Sequence, residues 1–200
     1  MMRLRAASES DEAVYAGLRM SADEFLRIPG NACNYELING VVMMSPSPKP
    51  LHQRVAMNIA TQIGMYLLDH PLGEVLAEID VHLGEGPAGG DLVYRPELVF
   101  IRAERLRKMR DQISGAPDLV VEVVSRGSRR LDSETKKDDY ERCGVKEYWL
   151  IDPERKATTF YRLRNRRFVR IPARGKYFAS QAVPGFVLDL LRVRAAFKPW

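Results

Sequence analysis

Cysteine is scarce: Cys33 and Cys143 are the only two in 200 residues, and neither belongs to a CxxC pair. That argues against a disulfide framework and against a zinc ribbon, and suits a reducing compartment. Histidine is nearly as rare. His52, His70 and His82 show neither HExxH nor HxxxH spacing, which speaks against a histidine-rich zinc site. No apolar run approaches the ~20 residues of a membrane helix. The first residues lack an apolar segment followed by a small-residue cleavage site. The expectation is a cytoplasmic protein with no membrane partner.

What remains is ordinary globular material. Hydrophobic residues make up 46% of the chain, enough for one core without disulfides or structural metal. The net charge is +5, but its distribution matters more than its sum. Residues 161–176 carry seven cations (Arg162, Arg164, Arg166, Arg167, Arg170, Arg174, Lys176) and no acid. Such a stripe is a candidate phosphate footprint. It also suits an exposed hairpin whose charged edge prevents sheet-to-sheet association.

Along the chain, residues 1–19 show no clear period and read as a loose N-terminal arm; residues 20–200 read as one domain. Ser21 with Glu24 forms a capping box ahead of a short helix that Pro29-Gly30 stops. Residues 35–44 form a hairpin around Asn39-Gly40. Val55, Ile59, Ile63 and Leu67 recur at helical spacing and predict a long amphipathic helix over 51–68. The runs 74–83 (EVLAEIDVHL) and 91–101 (DLVYRPELVFI) read as strands, the second interrupted by Pro96. A basic helix is expected over 103–110. Residues 118–124 (DLVVEVV) form the most strand-like run in the chain. A helix over 131–143, capped by Asp132 or Ser133 and stopped by Gly144, leads to a buried strand over 147–151. Two further strands, 157–163 and 167–171, make a second hairpin, and 183–190 reads as a closing edge element. This order predicts an α/β fold with a central mixed sheet flanked by helices. The strands 118–124 and 147–151 should be parallel neighbours in a right-handed crossover.

Glu122 is the chemical anomaly, a carboxylate in the middle of Val120-Val121-Glu122-Val123-Val124. Buried on both faces, it must be paired, protonated or bound to a cation. A bland alternative is a salt bridge to Arg126, Arg129 or Arg130. Glu97, before the apolar run 98–101, is a second acid; two carboxylates on adjacent buried strands make an oxygen-rich pocket for a hard cation such as Mg²⁺. Its bland role is to end an exposed strand. On the helix, Asp132, Lys136 and Tyr140 fall at i, i+4 and i+8 and share a face, whereas Lys137 is rotated by about 100°. Lys136 therefore reaches toward Glu122, or else is a solvated surface lysine.

The segments YELINGVVMMSPSP, RPELVF, GAPDLVVEVVS and D-x3-K-x3-Y-x2-CGV-x-EYWLIDP together resemble the Uma-two family of endonucleases, within the PD-(D/E)XK restriction endonuclease-like superfamily. The resemblance spans about residues 20–190. It implies a nuclease core with Glu97 and Glu122 as the acidic strand residues and Lys136 as the lysine, moved from the strand to the next helix. The Val123 carbonyl is implied as a further metal ligand, and Glu36, in the YEL motif, as a supporting acid beside Asp132 and Tyr140. Two departures stand out. The usual aspartate after proline is Glu97, one methylene longer, and the position two after Glu122 is Val124 rather than lysine. The resemblance implies Mg²⁺ (or Mn²⁺) dependent cleavage of DNA, with Arg126, Arg129 and Arg130 placed to grip phosphates. A homodimer suits cleavage of both strands. The rivals are a nucleic-acid-binding protein with a degenerate nuclease fold, and an interaction module in which Glu122 and Lys136 form only an ion pair.

Overall fold

Local chemistry starts the elements where the sequence places them. In the computed structural model, which describes residues 14–28, 34–45, 49–109 and 112–198, Ser21 and Glu24 close their capping box at the head of α1 (Ala22–Phe25). Pro29-Gly30, Pro46 to Pro48, Arg110 and the first 13 residues of the expected arm lie outside the described residues. Arg19 forms a bridge to Val41. Asn39 and Gly40 take φ of 51° and 73°, the left-handed pair that a two-residue turn between twisted strands needs, and join β1 (Asn34–Ile38) to β2 (Val41–Ser45). Pro50 opens α2 (Pro50–Asp69), where a missing N–H costs nothing, and Val55, Ile59 and Ile63 are fully buried along one stripe.

The two runs read as strands over 74–83 and 91–101 are each divided between two sheets. The first gives β3 (Gly73–Ala77) and β4 (Val81–Glu85); the second gives β5 (Asp91–Tyr94) and β6 (Leu98–Arg102). β4 pairs with β5 and β3 with β6, both antiparallel, so the runs form one long hairpin bent in the middle. Pro96 has no N–H for a ladder. Arg95 gives its backbone N–H to the Glu36 carboxylate instead, at 2.9 Å. On the facing run Glu78 turns to a left-handed φ of 49° and donates its N–H to the Glu97 carbonyl.

After α3 (Ala103–Leu106), shorter than the basic helix expected, come β7 (Ile113–Ser114) and β8 (Leu119–Val123). A π-helical segment, Leu131–Lys136, runs into α4 (Lys137–Cys143), which Gly144 ends at φ 91°. β9 (Glu147–Asp152) then pairs parallel to β8 from Leu119↔Glu147 to Val123↔Ile151, completing the expected βαβ unit. β10 (Ala157–Arg164) and β11 (Arg167–Ile171) form the second hairpin. β12 (Tyr177–Ala179) pairs with β13 (Val187–Asp189), and the chain continues into α5 (Leu190–Ala195) rather than ending as an edge strand.

The fold is a mixed α/β one. Its central six-stranded sheet has the order β11-β10-β9-β8-β6-β3, and a five-stranded sheet has the order β2-β1-β5-β4-β7. Strand alternation sorts β8 between two cores. Leu119, Val121 and Val123 pack with Val55, Ile59 and Ile63 of α2 and Val193 of α5. Val120 packs on the other side with Tyr140 of α4 and with Leu92 and Tyr94 of the five-stranded sheet. Glu122 shares the parity of Val120 and points to that second side, toward α4. No helix among the described residues is long and apolar enough to cross a membrane.

Candidate active site

The bend between the sheets opens a cleft of about 520 Å³ at the ends of β8 and β9. Glu36, His52, Glu97, Glu122, Val123, Asp132 and Lys136 all line it. They arrive from five places in the fold: β1, α2, the bend before β6, β8 and the π-helical segment. Glu36 alternates with Tyr35 and Leu37 on β1, whose side chains fill a small separate core, so it faces the other way. Glu97 follows Pro96 at the bend. Lys136 ends the π-helical segment; the extra residue per turn shifts the helix face at a site where side chains converge, as such bulges commonly do.

At the centre lies Lys136, only 5% exposed. Its Nζ is 2.8 Å from Glu36 Oε1, 3.2 Å from Glu122 Oε1 and 3.7 Å from Asp132 Oδ1. The ammonium also lies 5.3 Å from the centroid of the Tyr94 ring. Tyr140 donates its hydroxyl to Glu122 Oε1 at 2.8 Å. Asp132, Lys136 and Tyr140 thus share the face expected from their spacing, while Lys137 turns to Asp138. Second contacts hold the first. Ser45 donates to Glu36 Oε2 at 3.1 Å, Tyr148 donates to the Asp132 carbonyl at 2.9 Å, and Tyr94 donates to Asp139 at 2.7 Å.

Three carboxyl groups, of Glu36, Glu122 and Asp132, therefore crowd one lysine, and the charge of Glu97 acts on two of them. Burial raises the Glu122 carboxyl to about 8; Lys136 opposes that rise, and the charges of Asp132, Glu36 and Glu97 add to it. Burial likewise raises Asp132, again against Lys136. Burial disfavours the Lys136 ammonium, but Glu122, Glu36 and Asp132 outweigh it and hold the lysine charged. The cluster carries more negative than positive groups, which is the electrostatic setting a cation or a proton relieves.

His52 is not among the site residues expected from the sequence. It is the third residue of α2, and its spacing to Val55 (i+3), Ile59 (i+7) and Ile63 (i+11) puts it on the buried stripe; that periodicity is the available signal. Its Nδ1 lies 3.3 Å from Glu97 Oε2. Burial opposes its charge, but Glu97, the Val123 carbonyl and Glu122 prevail and raise its pKa. Arg95, also unforeseen, braces the bend by a two-pronged contact to Asp80, with both bonds at 2.8 Å.

The expected caps and phosphate contacts are arranged differently from the sequence reading. Asp132 and Ser133 do not cap the helix, because it begins earlier, with Asp132 N–H already bonded to the Ser128 carbonyl. The Ser125 and Ser128 hydroxyls order the preceding turn instead, at 3.0 Å from each other. None of the three arginines pairs with Glu122. Arg129 is held by Asp152 at 3.0 Å and Glu154 at 3.1 Å. Arg130 is highly exposed and meets Glu134. Arg126 is exposed on the cleft rim. In the basic hairpin, Arg162 pairs with Glu147 and Arg167 with Glu141. Arg164, Arg166, Arg170, Arg174 and Lys176 have no carboxylate partner among the described residues. Glu122 pairs with Leu150 and Leu150 with Thr159, so Arg164 lies two strands across from Glu122 and five residues along β10, roughly 17 Å further in the strand direction.

Among the described residues no three His, Cys, Asp or Glu side chains form a ready-made metal cluster. A cation here would have to draw on the backbone as well as on side chains.

Comparison with known proteins agrees with this architecture. A model of the Uma2 family, described as putative restriction endonucleases, matches residues 22–191. No curated protein matches the chain. A crystal structure of a putative nuclease belonging to DUF820, from Anabaena variabilis, superposes with a TM-score of 0.74 at 17% sequence identity, covering 90% of this chain and 99% of that one. That likeness extends the shared fold beyond recognisable sequence. With 170 of its 200 residues inside the family match and both sheets, the crossover helix and the acidic cleft contained in that span, the chain belongs to the Uma2 family of putative restriction endonucleases.

Proposed function

We propose that this protein is a divalent-metal-dependent endonuclease that hydrolyses DNA phosphodiester bonds, with Glu97, Glu122 and Lys136 as its catalytic residues. The observation that carries the proposal is the buried contact of Lys136 with Glu122 and Glu36, in a cleft that Glu97 also enters. The donors fit a hard cation. Glu97 Oε2 is buried with no contact closer than His52 at 3.3 Å, the carboxylates exceed the cations around them, and Val123 lines the same cleft with its backbone beside His52. Glu97, Glu122 and the Val123 carbonyl would hold Mg²⁺ or Mn²⁺. When bound, such an ion supplies Lewis-acid polarisation of the phosphate and a more acidic water.

The chain's own groups do the rest. Glu36 and Asp132 keep Lys136 charged and fix its stem, so its ammonium can offset negative charge developing on a phosphate in the cleft. Tyr140 holds Glu122 in one rotamer by donating to Oε1. Arg126, on the rim, and Arg130, on the exposed start of the helix, are free enough to take neighbouring phosphates; Arg129 anchors the loop through Asp152 and Glu154 and would contribute less. The protein would act in the cytoplasm.

A second reading, a nucleic-acid-binding protein without turnover, draws on Glu97 standing where the family's aspartate is usual. Plasmid cleavage separates the two. Purified protein should nick supercoiled DNA in Mg²⁺ or Mn²⁺, lose the activity in a chelator, and lose it in Glu122→Gln or Lys136→Ala whose circular dichroism is unchanged. DNA retention without product at any metal concentration would support the second reading.

A further inference from the structure

Two buried polar atoms in the cleft lack a hydrogen-bond partner: His52 Nδ1 and Glu97 Oε2. They belong to side chains only 13% and 15% exposed and face each other as a loose ion pair at 3.3 Å. A charge-assisted N–H···O⁻ bond is ordinarily about 2.7–2.9 Å long, shorter than this spacing. Two ligands of one ion behave differently. They point at a common third point, and at bond lengths near 2.1 Å neighbouring ligands of an octahedral shell stand ~3 Å apart. The observed spacing is that of two such ligands.

The surroundings agree. His52 projects from the first turn of α2 along a stripe that is otherwise Val55, Ile59 and Ile63, so packing alone would favour an apolar side chain there. Its ring lies among the groups of the proposed metal site: Glu97, the Val123 carbonyl and the charge of Glu122 all act on it.

We propose that His52 supplies a nitrogen ligand to the cation held by Glu97 and Glu122, so that the site takes a transition dication of the Mn²⁺ kind in preference to Mg²⁺. The proposal rests on the metal-site reading above. Its chemistry follows from ligand type: carboxylate and carbonyl oxygens suit Mg²⁺ and Mn²⁺ alike, whereas an imidazole nitrogen favours the transition metal. Histidine spacing in the sequence does not reveal such a ligand, because its partners are carboxylates on other strands.

The test uses Mn²⁺ as the probe and does not depend on turnover. Pulsed electron paramagnetic resonance of the full-length protein loaded with Mn²⁺ should show coupling to an imidazole nitrogen, absent in His52→Ala. Equilibrium titration should show His52→Ala losing Mn²⁺ affinity by on the order of tenfold or more, the loss typical even of outer partners, with Mg²⁺ affinity changed much less. Mn²⁺ bound in a Glu97- and Glu122-dependent manner with no nitrogen coupling would overturn the histidine ligand and leave the carboxylate site standing. No Mn²⁺ binding at all would overturn both. The spectrum of the unaltered protein decides the matter even if His52→Ala folds poorly.

Discussion

Lys136→Met keeps the stem of the side chain and removes its charge. In the native cleft that charge lies within 4 Å of Glu36, Glu122 and Asp132, all of them 2–3% exposed. Without it the three carboxyl groups face one another with no cation in contact. Breaking a buried pair by deleting one partner costs about 3–5 kcal/mol. For a chain of this length, that loss lowers the melting temperature by about 6–20 °C. The loss should depend on pH. Lys136 lowers the Glu122 and Asp132 pKa values against the effect of burial, so its removal raises both further above their unfolded values. A carboxyl group whose folded pKa is raised binds its proton more tightly in the folded state. Stability therefore falls as pH rises between the unfolded and folded pKa values, by about 1.4 kcal/mol per pH unit for each proton. Thermal denaturation of the variant at pH 8 and pH 5 measures this. The expected result is a large deficit at pH 8 that shrinks at pH 5, and that Mn²⁺ partly restores at pH 8. A variant as stable as the native protein at pH 8 would refute the idea that Lys136 balances this cluster.

Much of the site is readable in the sequence because it lies on regular elements. Glu122 stands out against the apolar strand around it, and the i, i+4, i+8 spacing of Asp132, Lys136 and Tyr140 gives one face even though the helix is partly π-helical. The βαβ unit follows from strand, helix and strand in close succession, and β8 and β9 pair in parallel. What cannot be read are events set by distant partners. The alternation over 74–83 continues smoothly through Glu78, so nothing local shows that β3 and β4 belong to different sheets; the change comes from pairing with the run that Pro96 breaks. Arg129 looks free for phosphate in the sequence because Asp152, the partner that holds it, lies 23 residues further on. Asp132 resembles a cap because caps and buried site acids are the same residue type, and only the helix start at Ser128 and Arg129 tells them apart.

Glu122→Gln removes the group that burial raises to about 8, so the metal-free variant should lose less stability than the native protein between pH 5 and pH 8, followed by chemical denaturation. Glu97→Asp restores the family's usual shorter acid; cleavage in Mg²⁺ should be retained or increased, whereas Glu97→Gln should abolish it, both read by plasmid nicking. Neutralising Arg126 and Arg130 should reduce the salt dependence of DNA binding by about 0.9 in slope for each phosphate left without its arginine, while Arg129→Ala should chiefly lower the melting temperature. Neutralising Arg164 and Arg166 at the hairpin tip should weaken binding of long duplexes without altering Mn²⁺ affinity, because that tip lies roughly 17 Å along the sheet from the cleft; equal loss of metal binding would show the hairpin to be coupled to the cleft.

The most direct measurement is a crystal structure of the protein soaked in Mn²⁺ and read by anomalous scattering. One peak should lie within about 2.0–2.3 Å of Glu97, Glu122 and the Val123 carbonyl, with the Lys136 ammonium beside it. No peak in the cleft at saturating Mn²⁺, with Lys136 still closed on Glu36 and Glu122, would mean that the lysine is itself the cation these acids were built to hold, and that the buried cluster is an ion pair and no metal centre.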